Sequence, residues 1–309
     1  MTMRRGTLEM LTVARLNNRG LFIASFLAPA AIIYGLFVVL PLLQAFVLSM
    51  YRWRGVTLKK TFVGTQNFEK LWADDAFWKA LKNNLWLMVV CGLVIIVLAI
   101  LIAHAMNQAG RMARMLRSVY LFPQIVSMVV VAILWMFMLN PSFGLVNSGL
   151  VALGFDGMKN KPWLGEPETA LPSVGSAFVW YSLGFFVMLF AAGLKSIPDE
   201  VKEAAELDGS KGFHRFRTVT WPMLWSVKRI AVIYVVITVM NIFALVFLMT
   251  RGGPDRATET MLTYLYQQAF QNSEFGYATA LAVANFVIAM LLALGIMAFF
   301  RKDPQEARR

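Results

Sequence analysis

The 309-residue chain is 59% hydrophobic and only 15% charged, which excludes a soluble globular protein of average composition and indicates a chain solvated largely by lipid. Its formal net charge of +12 does not indicate nucleic-acid binding, because the Lys and Arg residues lie between apolar blocks and form no continuous stripe. Cys91, His104 and His214 are too few and too scattered to predict a disulfide or a metal centre.

Six apolar stretches without charge are each long enough to cross a bilayer core of about 30 Å as a helix. In chain order they cover residues 21–50, 85–103, 118–140, 174–194, 230–250 and 278–300. The pattern predicts an all-α membrane protein with one transmembrane domain over residues 21–300. A cytoplasmic segment, 1–20, should precede this domain, and a cytoplasmic tail, 301–309, should follow it.

The distribution of positive charge predicts that both termini lie in the cytoplasm. With that orientation, 18 of the 29 Lys and Arg residues fall on the inside, as the positive-inside rule requires. The remaining 11 fall on the outside, and seven of them lie in the first outer loop, residues 52–84. We therefore expect a multi-pass protein of a bacterial inner membrane.

The inside loop between the fourth and fifth stretches is long and charged, and residues 196–222 contain their own helix signals. Ser196 is suited to cap a helix, Pro198 to its first turn, and Asp208-Gly209 to its end, because glycine tolerates positive φ. A second helix should follow, with an apolar face formed by Phe213, Phe216 and Val219.

Two interpretations of this hairpin remain open from the residues themselves. It could rest on lipid headgroups as an interfacial amphipathic hairpin. It could instead dock a soluble partner, since Ala204 and Ala205 allow close backbone approach and Glu203 offers a carboxylate to a partner arginine.

The loop resembles the "EAA" loop of bacterial ABC importer permeases in both composition and spacing. Glu203-Ala204-Ala205 is followed after three residues by Gly209, and after nine more by Val219-Thr-Trp-Pro222, with Trp221 where the family usually has leucine. The resemblance implies a type I ABC importer permease fold with a coupling helix that contacts a cytoplasmic ATPase. The implied coupling residues are Glu203, Ala204, Ala205, Asp208, Gly209 and Pro222.

Two outer segments are similar to the carbohydrate-importer permeases, in particular the maltose-type and glycerol-phosphate-type "first" permease. The first segment contains Gly64, Asn67-Phe68, Leu71, Asp74, Phe77-Trp78, Ala80-Leu81 and Asn83. The second contains Thr250-Arg-Gly-Gly-Pro254, Thr258, Thr260, Tyr264, Tyr266, Ala269-Phe270 and Gly276-Tyr277-Ala278. The resemblance implies as partners a second similar permease, two ATPase subunits and an external solute-binding protein.

The six stretches contain no Asp, Glu, Lys or Arg, whereas ion-coupled carriers usually place ionisable groups within the membrane. An uncharged path lined by aromatic, amide and hydroxyl groups suits a neutral polyhydroxylated solute. By position relative to the family, the candidate lining residues are Trp180, Tyr181, Ser182, Phe185 and Asn241. The alternative is that these side chains belong to an interfacial belt or pack between helices.

These observations predict a transport subunit that is not an enzyme. The sequence has no GxxxxGK[ST] phosphate loop, so ATP and Mg should be bound by a partner ATPase, and we expect no cofactor in this chain. A neutral di- or oligosaccharide such as an α-glucoside is the expected cargo, with a glycerol-phosphate-type cargo as the alternative. A secondary carrier and a membrane enzyme acting on lipid-linked substrates are less favoured function classes.

Overall fold

The computed structural model describes residues 20–56, 59–108 and 122–301, and it is built almost entirely of helices. In chain order the described helices are α1 (Gly20–Leu48), α2 (Gln66–Trp72), α3 (Asp75–Met106), α4 (Met128–Met138), α5 (Leu145–Ala152), α6 (Pro167–Lys195), α7 (Asp199–Leu207), α8 (Gly212–Met223), α9 (Trp225–Met240), α10 (Ala244–Met249), α11 (Met261–Tyr266) and α12 (Phe275–Phe299). A short antiparallel hairpin, β1 (Tyr51–Arg52) and β2 (Thr61–Phe62), follows α1. The all-α prediction therefore holds apart from this hairpin.

Four of the six predicted stretches fall in helices long and apolar enough to cross a membrane, namely α1, α3, α6 and α12, with only residues 49, 50 and 300 lying beyond the helix ends. α3 begins at Asp75, well before residue 85, because the Asp74 carboxylate accepts a hydrogen bond from the Ala76 N–H at 2.9 Å and caps the helix. α6 likewise begins early, at Pro167, which suits the first helical turn. The polar ends of these helices therefore extend beyond the apolar stretches.

The prediction of one continuous helix over residues 230–250 is wrong. α9 ends at Met240 with Asn241 as its C-cap, and a non-helical segment separates it from α10. The Ile237 carbonyl oxygen accepts both the Asn241 Nδ2 at 2.8 Å and the Asn241 backbone N–H at 3.2 Å at this helix end. α9 is also bent by 71° from α8. If that bent pair counts as one span, the described residues contain five candidate spans.

The third predicted stretch is helical only in part of the region that the structure describes. Ser127 interrupts it, since its extended ψ of 139° ends the preceding turn and its Oγ accepts from the Val129 N–H at 3.4 Å. α4 then contains 11 residues, fewer than a bilayer span requires. Residues 118–121 of this stretch, like the segments 1–19 and 302–309, lie outside the described residues, so the count of six spans stays a prediction.

The main core lies where α3, α4, α6, α9 and α10 pack together. α3 and α6 approach each other so closely that a Cβ on Gly175 would lie 2.8 Å from the Cys91 Sγ. α3 and α9 are equally close, with only 2.8 Å between a Cβ on Gly92 and the Val235 Cγ1. Small residues at these crossings are typical of membrane helix packing. The core thereby fixes α6 and α9, the two helices that flank the 196–222 loop.

Candidate functional site

The 196–222 loop begins directly after α6, which ends at Lys195. Ile197 is buried in the main core, and α7 starts after Pro198, which is its N-cap without a side-chain hydrogen bond. The prediction that Ser196 caps α7 is wrong, because Ser196 is the C-cap of α6 and its Oγ donates to the Gly193 carbonyl oxygen at 2.8 Å. Asp199 and Glu200 occupy the first turn of α7, where they complement the helix dipole.

The predicted end of α7 at Asp208-Gly209 is confirmed. Gly209 has a φ of +73°, a left-handed conformation that costs glycine nothing. The N–H of Ser210 donates to the Ala205 carbonyl oxygen at 2.9 Å, and the N–H of Gly209 donates to Glu206 at 3.0 Å. This pair of bonds is the Schellman pattern, which turns the chain sharply into α8.

The solvent-exposed surface of α7 carries small and acidic side chains. Ala205 is buried against α8, whereas Glu203 and Ala204 are exposed and Leu207 is 90% exposed. A groove of about 380 Å³ runs between α7 and α8, lined by Val201, Ala204, Ala205, Asp208, Ser210, His214, Thr218 and Val219. The surface therefore combines an apolar protrusion with a shallow concave strip.

Two ion pairs within the loop leave three of its five carboxylates, those of Glu200, Glu203 and Asp208, without an ion pair among the described residues. Lys202 pairs with Asp199 at 2.7 Å, and Arg215 of α8 pairs with Glu206 of α7. Glu203 has no ion pair among residues 20–56, 59–108 and 122–301. An exposed carboxylate of this kind can accept a bidentate hydrogen bond from a partner arginine.

The loop is joined to the membrane helices by aromatic and apolar packing. The Phe216 ring lies 5.7 Å from the His104 ring of α3 and 6.2 Å from Trp221. At the other end a Cβ on Gly193 would lie only 2.7 Å from the Val227 Cγ2, so α6 and the start of α9 are in tight contact. Pro222 is half-buried inside α8. Because close-packed contacts of this kind transmit displacement, a movement of the loop would move α3, α6 and α9.

A cavity of about 410 Å³ lies between α6, α9 and the beginning of α4. Tyr181, Ser182 and Asn241, three of the five predicted path residues, contribute to its lining. The other lining residues are Gln124, Met128, Phe178, Tyr234, Ile237, Thr238 and Ile242. None of these side chains carries a formal charge. Amide, hydroxyl and aromatic groups therefore converge on an uncharged space.

The remaining two predicted path residues lie beside this lining. Phe185 stacks on the cavity residue Tyr234, with ring centroids 4.3 Å apart and planes inclined by 26°. Trp180 instead faces Trp135 of α4 at 6.2 Å. The structure thus brings Tyr181, Ser182 and Asn241 together and places Phe185 in the supporting wall, whereas Trp180 packs between α6 and α4.

Sequence reasoning missed Tyr234, Thr238 and Gln124. Tyr234, Thr238 and Asn241 follow one another at spacings of four and three residues, so they form a polar stripe on one face of α9. That periodicity could have identified the first two. Gln124 precedes α4 and reaches the cavity only through the packing of α4 on α6, which no local signal indicates.

Several residues that carry the family resemblance close the end of the bundle opposite the 196–222 loop, and we call this end the outer end. The Asp74 Oδ2 accepts hydrogen bonds from the hydroxyls of Tyr264 and Tyr277, which joins α3 to α11 and α12. Burial alone would raise the pKa of Asp74, but these bonds and that from the Ala76 N–H outweigh it and lower the pKa. We call Asp74, Tyr264 and Tyr277 the outer latch.

Two further polar side chains tie the outer loops to this latch. Asn84 is fully buried; its Nδ2 donates to the Val239 carbonyl oxygen at 2.7 Å and its Oδ1 accepts from the Met261 N–H at 2.9 Å. Glu259 is buried beside Arg256, with 3.5 Å between the Oε2 and Nε atoms, and burial raises the pKa of this carboxyl group. The outer end is therefore held by polar groups that find partners within the chain.

The helical membrane fold and the conformation of the 196–222 loop together define a membrane transport subunit, and comparison with known proteins identifies the family. Residues 95–302 match the family "Binding-protein-dependent transport system inner membrane component", and the chain belongs to this family. It is therefore an ABC transporter permease, a transport component rather than an enzyme.

Relatives match over most of their length. The chain is 35% identical over 284 residues to the "Probable ABC transporter permease protein YurN" of Bacillus subtilis (strain 168), covering 91% of this chain and 96% of the relative. It is also 35% identical over 286 residues to the "Diacetylchitobiose uptake system permease protein NgcF" of Streptomyces coelicolor, covering 89% of this chain and 81% of the relative.

Solved structures support the same fold. A chain of a bacterial ABC transporter involved in the import of the acidic polysaccharide alginate superimposes with a TM-score of 0.80 at 23% identity, covering 94% of this chain and 98% of that one. A chain of a bacterial alginate ABC transporter in complex with an alginate pentasaccharide-bound periplasmic protein gives a TM-score of 0.79 at 23% identity, covering 92% and 95%.

Proposed function

We propose that this chain is one permease subunit of an ATP-driven, binding-protein-dependent sugar importer, and that it carries a neutral di- or oligosaccharide such as an α-glucoside. The observation that carries the proposal is the uncharged cavity between α6 and α9. Its tyrosines offer flat faces for sugar rings, and Ser182, Thr238 and Asn241 offer hydroxyl and amide groups for sugar hydroxyls.

The lining also favours a neutral cargo over a glycerol-phosphate-type cargo. A phosphate in a low-dielectric cavity needs a cation or several N–H donors, and none of the lining residues is Lys or Arg. Arg256 pairs with Glu259 in the outer loop rather than joining the cavity. The cargo cavity thus discriminates by shape and hydrogen bonding.

The partners follow from the coupling loop and from what the family name states. Two ATPase subunits would bind ATP and Mg, and one of them would receive α7 through Glu203, Ala204, Ala205, Asp208 and Gly209, with Pro222 fixing the return to the membrane. A second, homologous permease would complete the path, and an external solute-binding protein would deliver the sugar. With both termini cytoplasmic, α7 faces the ATPases and the outer latch faces the binding protein.

Closure of the ATPases would then move α7 and, through Phe216 and the Gly193–Val227 contact, the helices that wall the cavity. Since α6 carries Tyr181 and Ser182 while α9 carries Tyr234 and Asn241, a relative shift of these helices opens or closes the cavity to one side. This gives alternating access without any ionisable group in the path.

The first experiment measures ATP hydrolysis by the reconstituted importer, with and without the sugar-loaded binding protein. We expect Gly209→Asp to abolish the stimulation, because it alters a left-handed turn at the ATPase contact. Gly154→Asp is the matched control, since Gly154 also has positive φ, at +91°, and open space around it, but it lies in an outer loop. Equal loss in both variants, or full stimulation of Gly209→Asp, would remove the coupling assignment.

A second arm measures uptake of labelled disaccharide into proteoliposomes. We expect Asn241→Leu to lower uptake by about tenfold, corresponding to the loss of one or two hydrogen bonds to the sugar worth roughly 1.4 kcal/mol together. Asn272→Leu, at an exposed outer-loop position, is the control. Unchanged uptake in Asn241→Leu would place the sugar elsewhere.

A further inference from the structure

Lys228 is a buried cation at the start of α9. It is 7% exposed, and of the Lys and Arg residues that the structure describes it alone is buried. Removing an ammonium group from water is costly unless an opposite charge or several hydrogen-bond acceptors replace the water. The position of Lys228 therefore needs a physical explanation that the transport path and the coupling loop do not supply.

Two indole rings surround the ammonium group. The Lys228 Nζ lies 4.1 Å from the ring centroid of Trp221 and 5.1 Å from that of Trp225, in cation–π geometry. The Trp225 Nε1 donates to the Phe300 carbonyl oxygen at 3.2 Å, which fixes this ring against the end of α12. We call Lys228, Trp221 and Trp225 the tryptophan cage. Trp221 is also the position at which the loop departs from the usual leucine.

The tryptophan cage has no anion within the part of the chain that the structure describes. Neither Lys228 nor the adjacent half-buried Arg229 forms an ion pair with a carboxylate in residues 20–56, 59–108 or 122–301. Cation–π contact stabilises the ammonium group, but it adds no negative charge. Two neighbouring cations are thus left without a counter-charge from these residues.

The dipole of α9 also favours a bound anion beside Lys228. Lys228 follows the first turn of α9, the positive end of the helix, where a cation is unfavourable and an anion is stabilised. The N-cap is Leu224, whose side chain cannot accept a hydrogen bond from the free N–H groups of that turn. A bound anion would compensate both the helix end and the two cations.

The surroundings of the tryptophan cage indicate which anion this is. Large apolar side chains near it are solvent-exposed, including Ile230 at 49% and Phe299 at 75%, as expected for a surface in contact with acyl chains. Tryptophan rings at the end of an apolar helix lie at the headgroup level of a bilayer, where the phosphates of phospholipids also lie.

We propose that the tryptophan cage and Arg229 bind the phosphate group of an anionic phospholipid. The site lies at the 71° joint between α8 and α9, directly beside Pro222, so a bound lipid ties the end of the coupling loop to the membrane surface. The proposal uses the membrane placement of α9, and with the orientation given under the proposed function the lipid belongs to the inner leaflet.

The test is native mass spectrometry of the purified full-length chain, titrated with phosphatidylglycerol or phosphatidylcholine. We expect phosphatidylglycerol to bind at least about tenfold more tightly, and Lys228→Met, which keeps the apolar stem, to remove that preference. Lys228→Arg should retain it. Lys195→Met removes an exposed lysine at the end of α6 and is the matched control. An unchanged preference in Lys228→Met, or loss of preference in Lys195→Met as well, would overturn the proposal.

Two further measurements separate the lipid from other anions. If inorganic phosphate binds and the two lipids bind equally, the site takes free phosphate and not lipid. If Asp303→Asn with Glu306→Gln destabilises the wild type but not Lys228→Met, the counter-ion is a tail carboxylate. Equal lipid binding without phosphate binding leaves a partner subunit's carboxylate as the counter-ion. Each of these results overturns the proposal, and none bears on sugar transport, because no transport readout enters the assay.

Discussion

The two ends of the bundle use the same kinds of polar residues in opposite ways. At the outer end, Asp74, Asn84 and Glu259 are wholly or partly buried and bonded to other parts of the chain. In the 196–222 loop, Glu203 is exposed and has no ion pair among the described residues, although Glu206 three residues later pairs with Arg215. Polar groups satisfied within the chain maintain the fold, whereas an exposed carboxylate without an ion pair is available to a partner.

The largest expected effect is the loss of stability when the outer latch is broken. Asp74→Ala removes the acceptor for the hydroxyls of Tyr264 and Tyr277 and also the N-cap of α3. Leaving such donors unsatisfied and losing a cap should lower the free energy of unfolding by about 3 kcal/mol. Thermal unfolding of the purified protein in detergent measures this. Asp75→Ala, at the exposed neighbouring position, should change the midpoint little; equal losses would show that Asp74 has no special structural role.

A smaller effect, on activity instead of stability, is expected at the coupling loop. Glu203→Gln should reduce sugar-stimulated ATP hydrolysis by about threefold to tenfold, because a charge-assisted hydrogen bond to a partner becomes a neutral one. Glu206→Gln breaks only an exposed pair within the loop, whose contribution is small. The measurement is the stimulated rate of the assembled importer. A larger loss in Glu206→Gln than in Glu203→Gln would contradict the distinction between paired and unpaired carboxylates.

The smallest effect concerns pH at the outer end. Burial raises the pKa of Glu259, so the folded state favours the protonated form. The contribution of Glu259 to stability is fully present below the pKa that its carboxyl group has in the unfolded chain. It is lost as pH rises through the higher pKa of the folded state. Glu259→Gln should therefore raise the unfolding midpoint at neutral pH and leave it unchanged in acid.

Asp74 provides the internal contrast for that measurement. Its pKa is lowered by hydrogen bonding, so its contribution is present above its unfolded pKa and disappears only as pH falls below about 3.8. Unfolding midpoints recorded across pH for the wild type and Glu259→Gln give both trends. A Glu259→Gln midpoint below that of the wild type at neutral pH would show that the Arg256 pair outweighs burial.

The neutral cavity could be anticipated only in part. Tyr181, Ser182 and Asn241 are predicted from their positions relative to the family, and the structure places them on one cavity. Trp180 is predicted with them but faces Trp135, because Phe178, Tyr181 and Ser182 share one face of α6 at helical spacing, whereas Trp180, two residues before Ser182, lies on the opposite side. The break after Met240 was not predicted, since the apolar run continues to residue 250 and hydropathy does not register where a helix ends.

The sequence by itself determined the membrane class, four of the long helices, the glycine-terminated helix α7 and the family. Each of these features depends only on residues that are close together in the sequence, through their composition or spacing. Only the tertiary structure decided which polar residues pair across distant segments, such as Asp74 with Tyr264 and Tyr277, and which cation remains buried without a carboxylate. Those outcomes depend on the packing of helices far apart in the chain, and periodicity within one helix contains no information about its neighbours.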